Sequence, residues 1–411
     1  MSKKILTFLG KYPKETKYEY KGNVFTGRVF AEALYQFEQF DEMLVFVTAD
    51  ARETSFSVLA DLNDKRIKPV DIPVGATPDE MWHIFEIITG SVEPKDTLVF
   101  DITHGLRSIP FFVFIVAAFL KSAKQVNIEA VYYGAFELQN DNDGLSPVVD
   151  LSEFVSLLDW LNASEQFIRS GNAVALANLI RQSKPAYDPE NTAIYHDGKP
   201  LGEAAQALED VSLALRLILP DRAMQASEDL QAKLGAAAPF LQRYATPFTS
   251  LASQVSEAYA PLALPNPRDK DMFSASLIRE RMLVDWYLER NLIVQAVAVA
   301  REWLVSWTMA CAGYGNFYDK KLRKEIELAL GAASKQKAKR SGAFDDYIFD
   351  NGQQLIKIPA ISRAIDLYND LGRVRNILAH AGKQPSRESA DTLEKQVRKF
   401  CSNLKQLPLP S

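Results

Sequence analysis

The sequence predicts an α/β, Rossmann-like N-terminal domain, then an all-α connector and a second all-α domain. Three observations predict it. Apolar strand-like runs alternate with helical patterns through the first 150 residues. Those runs are continuous in polarity, as parallel strands covered by helices on both faces require. After Leu151 no strand pattern returns, and Ala/Leu-rich segments with helical spacing take over. The expected boundaries are 1–150, 151–275 and 276–411.

Lys4–Leu9 (KILTFL), ended by Gly10, suits a buried strand and a tight turn. Val24–Phe37 has apolar residues near helical spacing. Glu42–Thr48 is a second strand, and Glu53–Leu62 a helical pattern behind it. Arg66–Ile72 is a weaker third strand, stopped by Pro73. Thr77-Pro78-Asp79-Glu80 has the order of a helix start: a capping hydroxyl, proline in the first turn, then acids. Thr97–Asp101 is a fourth strand, Ser108–Lys121 an apolar helix, and Val126–Tyr133 a fifth strand.

In the middle, Phe154–Leu161, Ala173–Ile180 and Glu203–Leu219 read as helices. Pro185–Pro200 reads as a loop or small hairpin, and Pro261–Asp271 as a linker. Tyr287–Trp307 and Ala364–Ala381 read as long helices.

Composition narrows the function. The 411 residues are 47% apolar and 24% charged, ordinary for a globular protein and unlike a disordered or collagen-like chain. Cys311 and Cys401 are too few for a disulfide scaffold or a thiolate zinc site. None of the four histidines (His83, His104, His196, His380) belongs to a metal-pair spacing, so no metal is expected. The longest apolar run, Ile109–Leu120, is twelve residues, short of the roughly 20 that span a membrane. Cytoplasmic location, with no membrane partner, is expected. The net charge of −5 is uneven: residues 320–411 hold 18 Lys+Arg against 10 Asp+Glu, and the rest 29 against 42. A basic end on an acidic body suits a polyanion, or else a solvated helical surface.

Two segments follow strands where open α/β sheets bind ligands. One is Gly10-Lys11-Tyr12. The other is Asp101–Ser108, where Gly105 permits close backbone approach and Arg107 and Ser108 can bond phosphate oxygens. Thr103 and His104 suit a ribose or base. The absence of a G-x-G-x-x-G pattern disfavours a dinucleotide.

Near the other end, Arg375 and His380 stand in R-x4-H spacing, and Arg373 and His380 in R-x6-H. Arg375 and His380 diverge by about 140° on a helix, whereas Asn376 and His380 share a face. Two copies across a two-fold axis would complete such a set, and Ala379, Ala381 and Gly382 are small enough for close helix approach. Lys335, Lys337, Lys339 and Arg340 read as a phosphate-binding loop. An imidazole serves as acid or base at neutral pH, and an arginine steadies charge developing on phosphate. RNA brings its own 2′-hydroxyl nucleophile, so RNA rather than DNA is the expected substrate.

On these residues the chain resembles the CRISPR-associated CARF–HEPN ribonucleases, ancillary effectors of type III systems. Ile5–Gly10, the Asp101–Pro110 stretch DITHGLRSIP and Tyr133-Gly134-Ala135 resemble the CARF portion. Arg301-Glu302-Trp303 and RNILAH at Arg375–His380 resemble the HEPN portion. The resemblance implies a homodimer, or a higher oligomer, that senses a cyclic oligoadenylate, with cyclic tetra-adenylate favoured. It implies metal-independent cutting of single-stranded RNA to 2′,3′-cyclic phosphate and 5′-hydroxyl ends in antiviral defence. By resemblance Arg375, Asn376 and His380 are catalytic, and Gly10, Thr103, His104, Gly105 and Arg107 face the activator. Lys11, Tyr12 and Ser108 join them by placement. Two other readings stay open: an effector-binding protein with a structural dimerisation domain, and a Rossmann enzyme acting on a small phosphorylated metabolite.

Overall fold

The computed structural model describes residues 2–104, 109–141, 144–185, 189, 192–338, 347–380 and 388–409. The chain divides into two compact units, Met1–Asp159 and Trp160–Ser411.

The first unit holds β1 (Lys3–Leu9), β2 (Thr16–Tyr20), β3 (Asn23–Gly27), α1 (Phe30–Phe37) and β4 (Glu42–Val47). Next come α2 (Ala49–Thr54), α3 (Phe56–Ala60), β5 (Ile67–Asp71), α4 (Pro78–Gly90) and β6 (Thr97–Asp101). Then follow α5 (Ile109–Lys124), β7 (Asn127–Gly134), β8 (Ser146–Asp150) and the start of α6 (Ser152–Ser170). The strand order is β3-β2-β8-β7-β6-β1-β4-β5.

The five central strands from β7 to β5 are parallel, and their continuous apolar runs have a direct cause. Alternate residues feed two separate cores. Ile5, Leu9, Val45 and Val99 pack with α1 and α3 on one face. Leu6, Phe8, Phe46 and Phe100 pack with α4 and α5 on the other. A side chain of this size, fully buried, contributes about 1.5–3 kcal/mol, so neither face tolerates a polar alternation. The expected start of α4 is present, with Thr77 Oγ1 accepting from the Glu80 amide at 3.2 Å and Pro78 in the first turn.

The sheet departs from the sequence reading in being mixed. Val24–Phe37 is not one helix: Asn23–Gly27 is a strand, paired antiparallel with β2, and the helix begins only at Phe30. Lys21 and Gly22 both have positive φ, 51° and 81°, the geometry of a two-residue hairpin turn. Strand β8 carries this hairpin, pairing parallel with β2 and antiparallel with β7. The Glu53–Leu62 pattern lies across two short helices that meet at Ser55.

The second unit contains the rest of α6, α7 (Val174–Gln182), α8 (Thr192–Arg216), α9 (Pro220–Tyr244), α10 (Thr246–Tyr259) and α11 (Phe273–Glu289). It continues with α12 (Ile293–Cys311), α13 (Lys320–Ala338), α14 (Ile361–Ala379) and α15 (Ala390–Leu404). One apolar core runs through these helices, including those on both sides of residue 275. At its centre Trp303 and Trp307 are fully buried, their indole N–H groups donating to the Leu277 and Pro408 carbonyls at 2.7 Å.

Three readings change here. Helix α8 begins at Thr192 and runs through Pro200, because burial of Leu201, Ala204, Ala205 and Leu208 outweighs the lost backbone hydrogen bond. The Pro261–Asp271 stretch is packed: Leu262 and Leu264 are buried, and Arg279 Nε donates to the Ala263 carbonyl at 2.7 Å. Tyr287–Trp307 is two helices, broken where Asn291 takes φ 59°, a left-handed helix stop. Among the described residues no helix is long and apolar enough to cross a membrane.

Candidate functional site

In the first unit, the chain leaves β1 for β4 and β5 on one side, then returns for β6 and β7 on the other. The switch in direction lies between β1 and β6, the place where open α/β sheets leave a crevice. Register delivers two turns to it. Thr7 on β1 pairs with Asp101 on β6, so three residues further along each strand Gly10 and His104 stand side by side. They touch: a Cβ added to Gly10 would lie 2.7 Å from the His104 carbonyl oxygen.

A buried network fixes the β6 turn. Asp101, with no exposed surface, accepts from Thr7 Oγ1 at 2.6 Å and from the Thr103 amide at 2.8 Å. Thr103 Oγ1 in turn accepts from the Gly134 amide at 2.9 Å, tying the turn to the end of β7. The His104 Nε2 and the Tyr18 hydroxyl are hydrogen-bonded at 3.2 Å. Gly134 makes room for that tyrosine, since a Cβ there would meet Tyr18 Cε1 at 2.9 Å. Burial raises the Asp101 carboxyl and lowers the His104 imidazole, each against the attraction of the other. The imidazole is therefore held neutral, with one nitrogen able to donate and the other to accept.

The β1 turn is held just as firmly. Ser55 Oγ donates to the Gly10 carbonyl at 2.6 Å, and Thr54 Oγ1 to the Lys11 carbonyl at 2.9 Å. Lys11 pairs with Asp50 at 2.9 Å, and Tyr12 is 81% exposed. Gly10, Thr103 and His104 are thus brought together, with Lys11 and Tyr12 on the adjoining turn. Gly105, Arg107 and Ser108 lie outside the described residues. Sequence reasoning missed Tyr18 and Ser55, and named Asp101 only as the start of its segment. The alternation of charged and aromatic residues in Lys17-Tyr18-Glu19-Tyr20 marks a half-buried strand, but nothing in it points to His104.

In the second unit, Arg375 and Asn376 lie on the last turns of α14, and His380 caps it. All three are exposed. The His380 amide donates to the Asn376 carbonyl at 3.1 Å, and Arg375 Nη1 donates to Asn376 Oδ1 at 3.2 Å. The His380 ring has no hydrogen-bond partner among the described residues. Arg373 is engaged elsewhere, donating to Glu388 at 2.7 Å and Gln396 at 2.5 Å. Of the two arginines spaced from His380, only Arg375 is therefore presented. Arg301 braces the middle of α14, donating to the Tyr368 hydroxyl with its guanidinium 4.6 Å from the ring centre. Lys335 and Lys337 belong to helix α13, not to a loop, because the helix runs to Ala338. Lys339, Arg340, Ala381 and Gly382 lie outside the described residues.

Between these two regions in the sequence lie helices α6 to α10. Residues 156–261 match the family model described as CRISPR-associated protein MJ1674, second domain. The likeness is to a CRISPR-associated protein. The protein of that name from Methanocaldococcus jannaschii is 31% identical over 112 residues, which make up 26% of this chain and 18% of the relative. The match therefore spans less than a fifth of the relative's length. Among solved structures, Enterococcus italicus Csm6 bound to cyclic hexa-2′-fluoro-hexa-dAMP aligns over 98% of this chain and 92% of its own. The TM-score is 0.43 and the identity 10%.

Proposed function

We propose that this chain is a cyclic oligoadenylate-activated, metal-independent endoribonuclease acting on single-stranded RNA in type III CRISPR defence. The observation that carries the reading is the seating of Gly10 against His104 at the sheet's switch point. It packs two backbone turns directly together and fixes a neutral imidazole and a threonine beside them, where open α/β sheets bind ligands. A nucleotide with ring nitrogens and a phosphate suits these groups, and the CRISPR-associated match of residues 156–261 gives it a setting. The activator is taken to be a cyclic oligoadenylate, the tetramer by preference, held by Gly10, Thr103 and His104 with Lys11, Tyr12, Gly105, Arg107 and Ser108.

In this reading the chemistry belongs to Arg375, Asn376 and His380, exposed at the end of α14. The ribose 2′-oxygen attacks the adjacent phosphorus while the bond to the 5′-oxygen breaks. His380 accepts or returns the proton, Arg375 balances the phosphorane charge, and Asn376 orients Arg375 through their hydrogen bond. A 2′,3′-cyclic phosphate and a 5′-hydroxyl result. A second copy, placed across a two-fold axis, supplies the facing Arg375 and His380.

An RNase assay against a panel of cyclic oligoadenylates, with and without EDTA, tests this. Cleavage appears only with one ring size and persists in chelator. His380→Ala loses cleavage and keeps activator binding, whereas Arg107→Ala loses activator binding. Cleavage by His380→Ala at the wild-type rate would remove the proposed catalytic set.

A further inference from the structure

A cleft of 1030 Å³ opens in the helical unit, and neither Arg375 nor His380 is among its lining residues. It lies among the first turn of α9, the middles of α11 and α12, and the segment entering α13. Its walls are mostly apolar, with Val299 and Phe317 among them.

Five carboxyl groups line it, and four have a basic partner, Glu325 and Glu327 lying near Lys321 and Lys324. Asp221 pairs with Arg268 at 2.5 Å, and Glu302 with Arg323 at 2.7 Å. Glu280 has neither a hydrogen bond nor an ion pair among the described residues. Burial pushes its carboxyl up to about 7, with Asp221 and Glu302 adding to the rise against the pull of Arg323. Such a group gains whenever donors arrive to hold its charged form.

The remaining lining restricts what those donors belong to. Tyr318 is 42% exposed, and Arg268 lies over its ring at 4.9 Å from the centre. A flat aromatic body suits the apolar walls and this ring. Where α13 begins, Lys320, Lys321 and Lys324 are exposed among the lining residues. Lys321 and Lys324 lie near Glu325 and Glu327, at 3.9 and 3.7 Å, and Lys320 has no partner among the described residues. A polyamine or basic peptide would satisfy Glu280 and leave Lys320 without a counter-charge. A nucleotide satisfies both, with its base inside and its phosphate at the lysines.

An ionised carboxylate presents acceptors only, side by side. Its complement is an edge with two adjacent N–H donors, and among the four RNA bases guanine carries that edge. We propose that this cleft binds a guanine nucleotide, Glu280 accepting from the base N1–H and N2–H and Lys320 holding the phosphate. The nucleotide is either free or part of an RNA strand. The proposal requires binding alone and does not depend on RNA cleavage.

The test uses the full-length protein carrying His380→Ala, so that no strand is cut. Anisotropy compares labelled octauridylate with the same octamer holding one central guanosine, and calorimetry compares GMP with AMP. Guanine is preferred by roughly tenfold, the discrimination of a bidentate base contact. Glu280→Gln abolishes that preference, because its amide sets a donor against the base donors. Lys320→Glu weakens all nucleotides alike and keeps the preference. A preference seen only with GMP identifies a free nucleotide, and one seen only in the octamer identifies RNA. No guanine preference in either arm, or a preference that survives Glu280→Gln, overturns the proposal. Melting curves establish that Glu280→Gln is folded. If it is not, Glu280→Asp, which keeps the charge on a shorter stem, must lower the preference.

Discussion

The α-carbon of Gly10 approaches the His104 backbone so closely that no side chain fits between them: a Cβ would stand 2.7 Å from the His104 carbonyl oxygen. A backbone oxygen cannot rotate aside as a side chain does. Gly10→Ala therefore forces the β1 and β6 turns apart, at the 1–3 kcal/mol cost typical of overpacking. Activator affinity falls by about tenfold or more by calorimetry, and the strand signal in circular dichroism stays. Unchanged affinity would dissociate the crevice from activator binding.

The His104 proton gives a second prediction. Burial lowers this imidazole from its ordinary 6.5, so below that pH the unfolded chain binds a proton that the folded chain refuses. Stability thus falls as pH drops through 6.5 towards the folded value, by up to about 1.4 kcal/mol per pH unit. Asp101 acts in the opposite sense, since burial raises its carboxyl from 3.8 and its folded form keeps a proton longer as pH rises. His104→Gln flattens the acid-side slope in urea titrations between pH 5 and 6.5. An unaltered slope would assign the acid sensitivity to other groups.

Arg373 and Arg375 separate structure from chemistry on one helix. Arg375→Ala is expected to leave the melting temperature unchanged and to lower cleavage by at least about a hundredfold, the scale of a lost electrostatic or acid–base contribution. Arg373→Ala releases Glu388 and Gln396 and lowers the melting temperature slightly, with most of the cleavage retained. The reverse pattern would make Arg373 the catalytic partner of His380.

Tyr368 offers a fourth. Tyr368→Phe keeps the ring beneath Arg301 and removes the hydroxyl that its guanidinium donates to. The loss is about 1 kcal/mol, read as a lower urea midpoint, and activator affinity is unaffected. A wild-type midpoint would show that the cation over the ring is sufficient.

The parts visible in the sequence were those set by local patterning. Ile5–Leu9, Met43–Val47 and Leu98–Phe100 are apolar on both sides because they feed two cores, and Thr77-Pro78 marks its helix start by capping chemistry alone. The parts missed depend on distant partners or on backbone sign. Lys21-Gly22 makes a hairpin turn without the usual Asn-Gly pair, and β8 is five residues with a proline, a strand only because β7 and β2 flank it. The break at Asn291 lies in a single φ, inside an otherwise helical run. At the crevice, Gly10, Thr103 and His104 could be named from position after a strand. Tyr18 could not, because it reaches His104 only through a hairpin held by β8. The CRISPR-associated match fell on residues 156–261, a segment in which helical periodicity showed packing and no chemistry.

That hairpin also sets an order of assembly. Tyr18 belongs to the opening of the chain, yet β2 docks on Ser146 and Pro147 of β8. During synthesis the early strands β1, β4 and β5 can pair among themselves, whereas β2 must wait until residue 150 has left the ribosome. The Tyr18–His104 contact is therefore made last, and a nascent or truncated chain lacking β8 carries Gly10 without Tyr18 in place. The buried network that fixes His104 is complete only with the whole first unit.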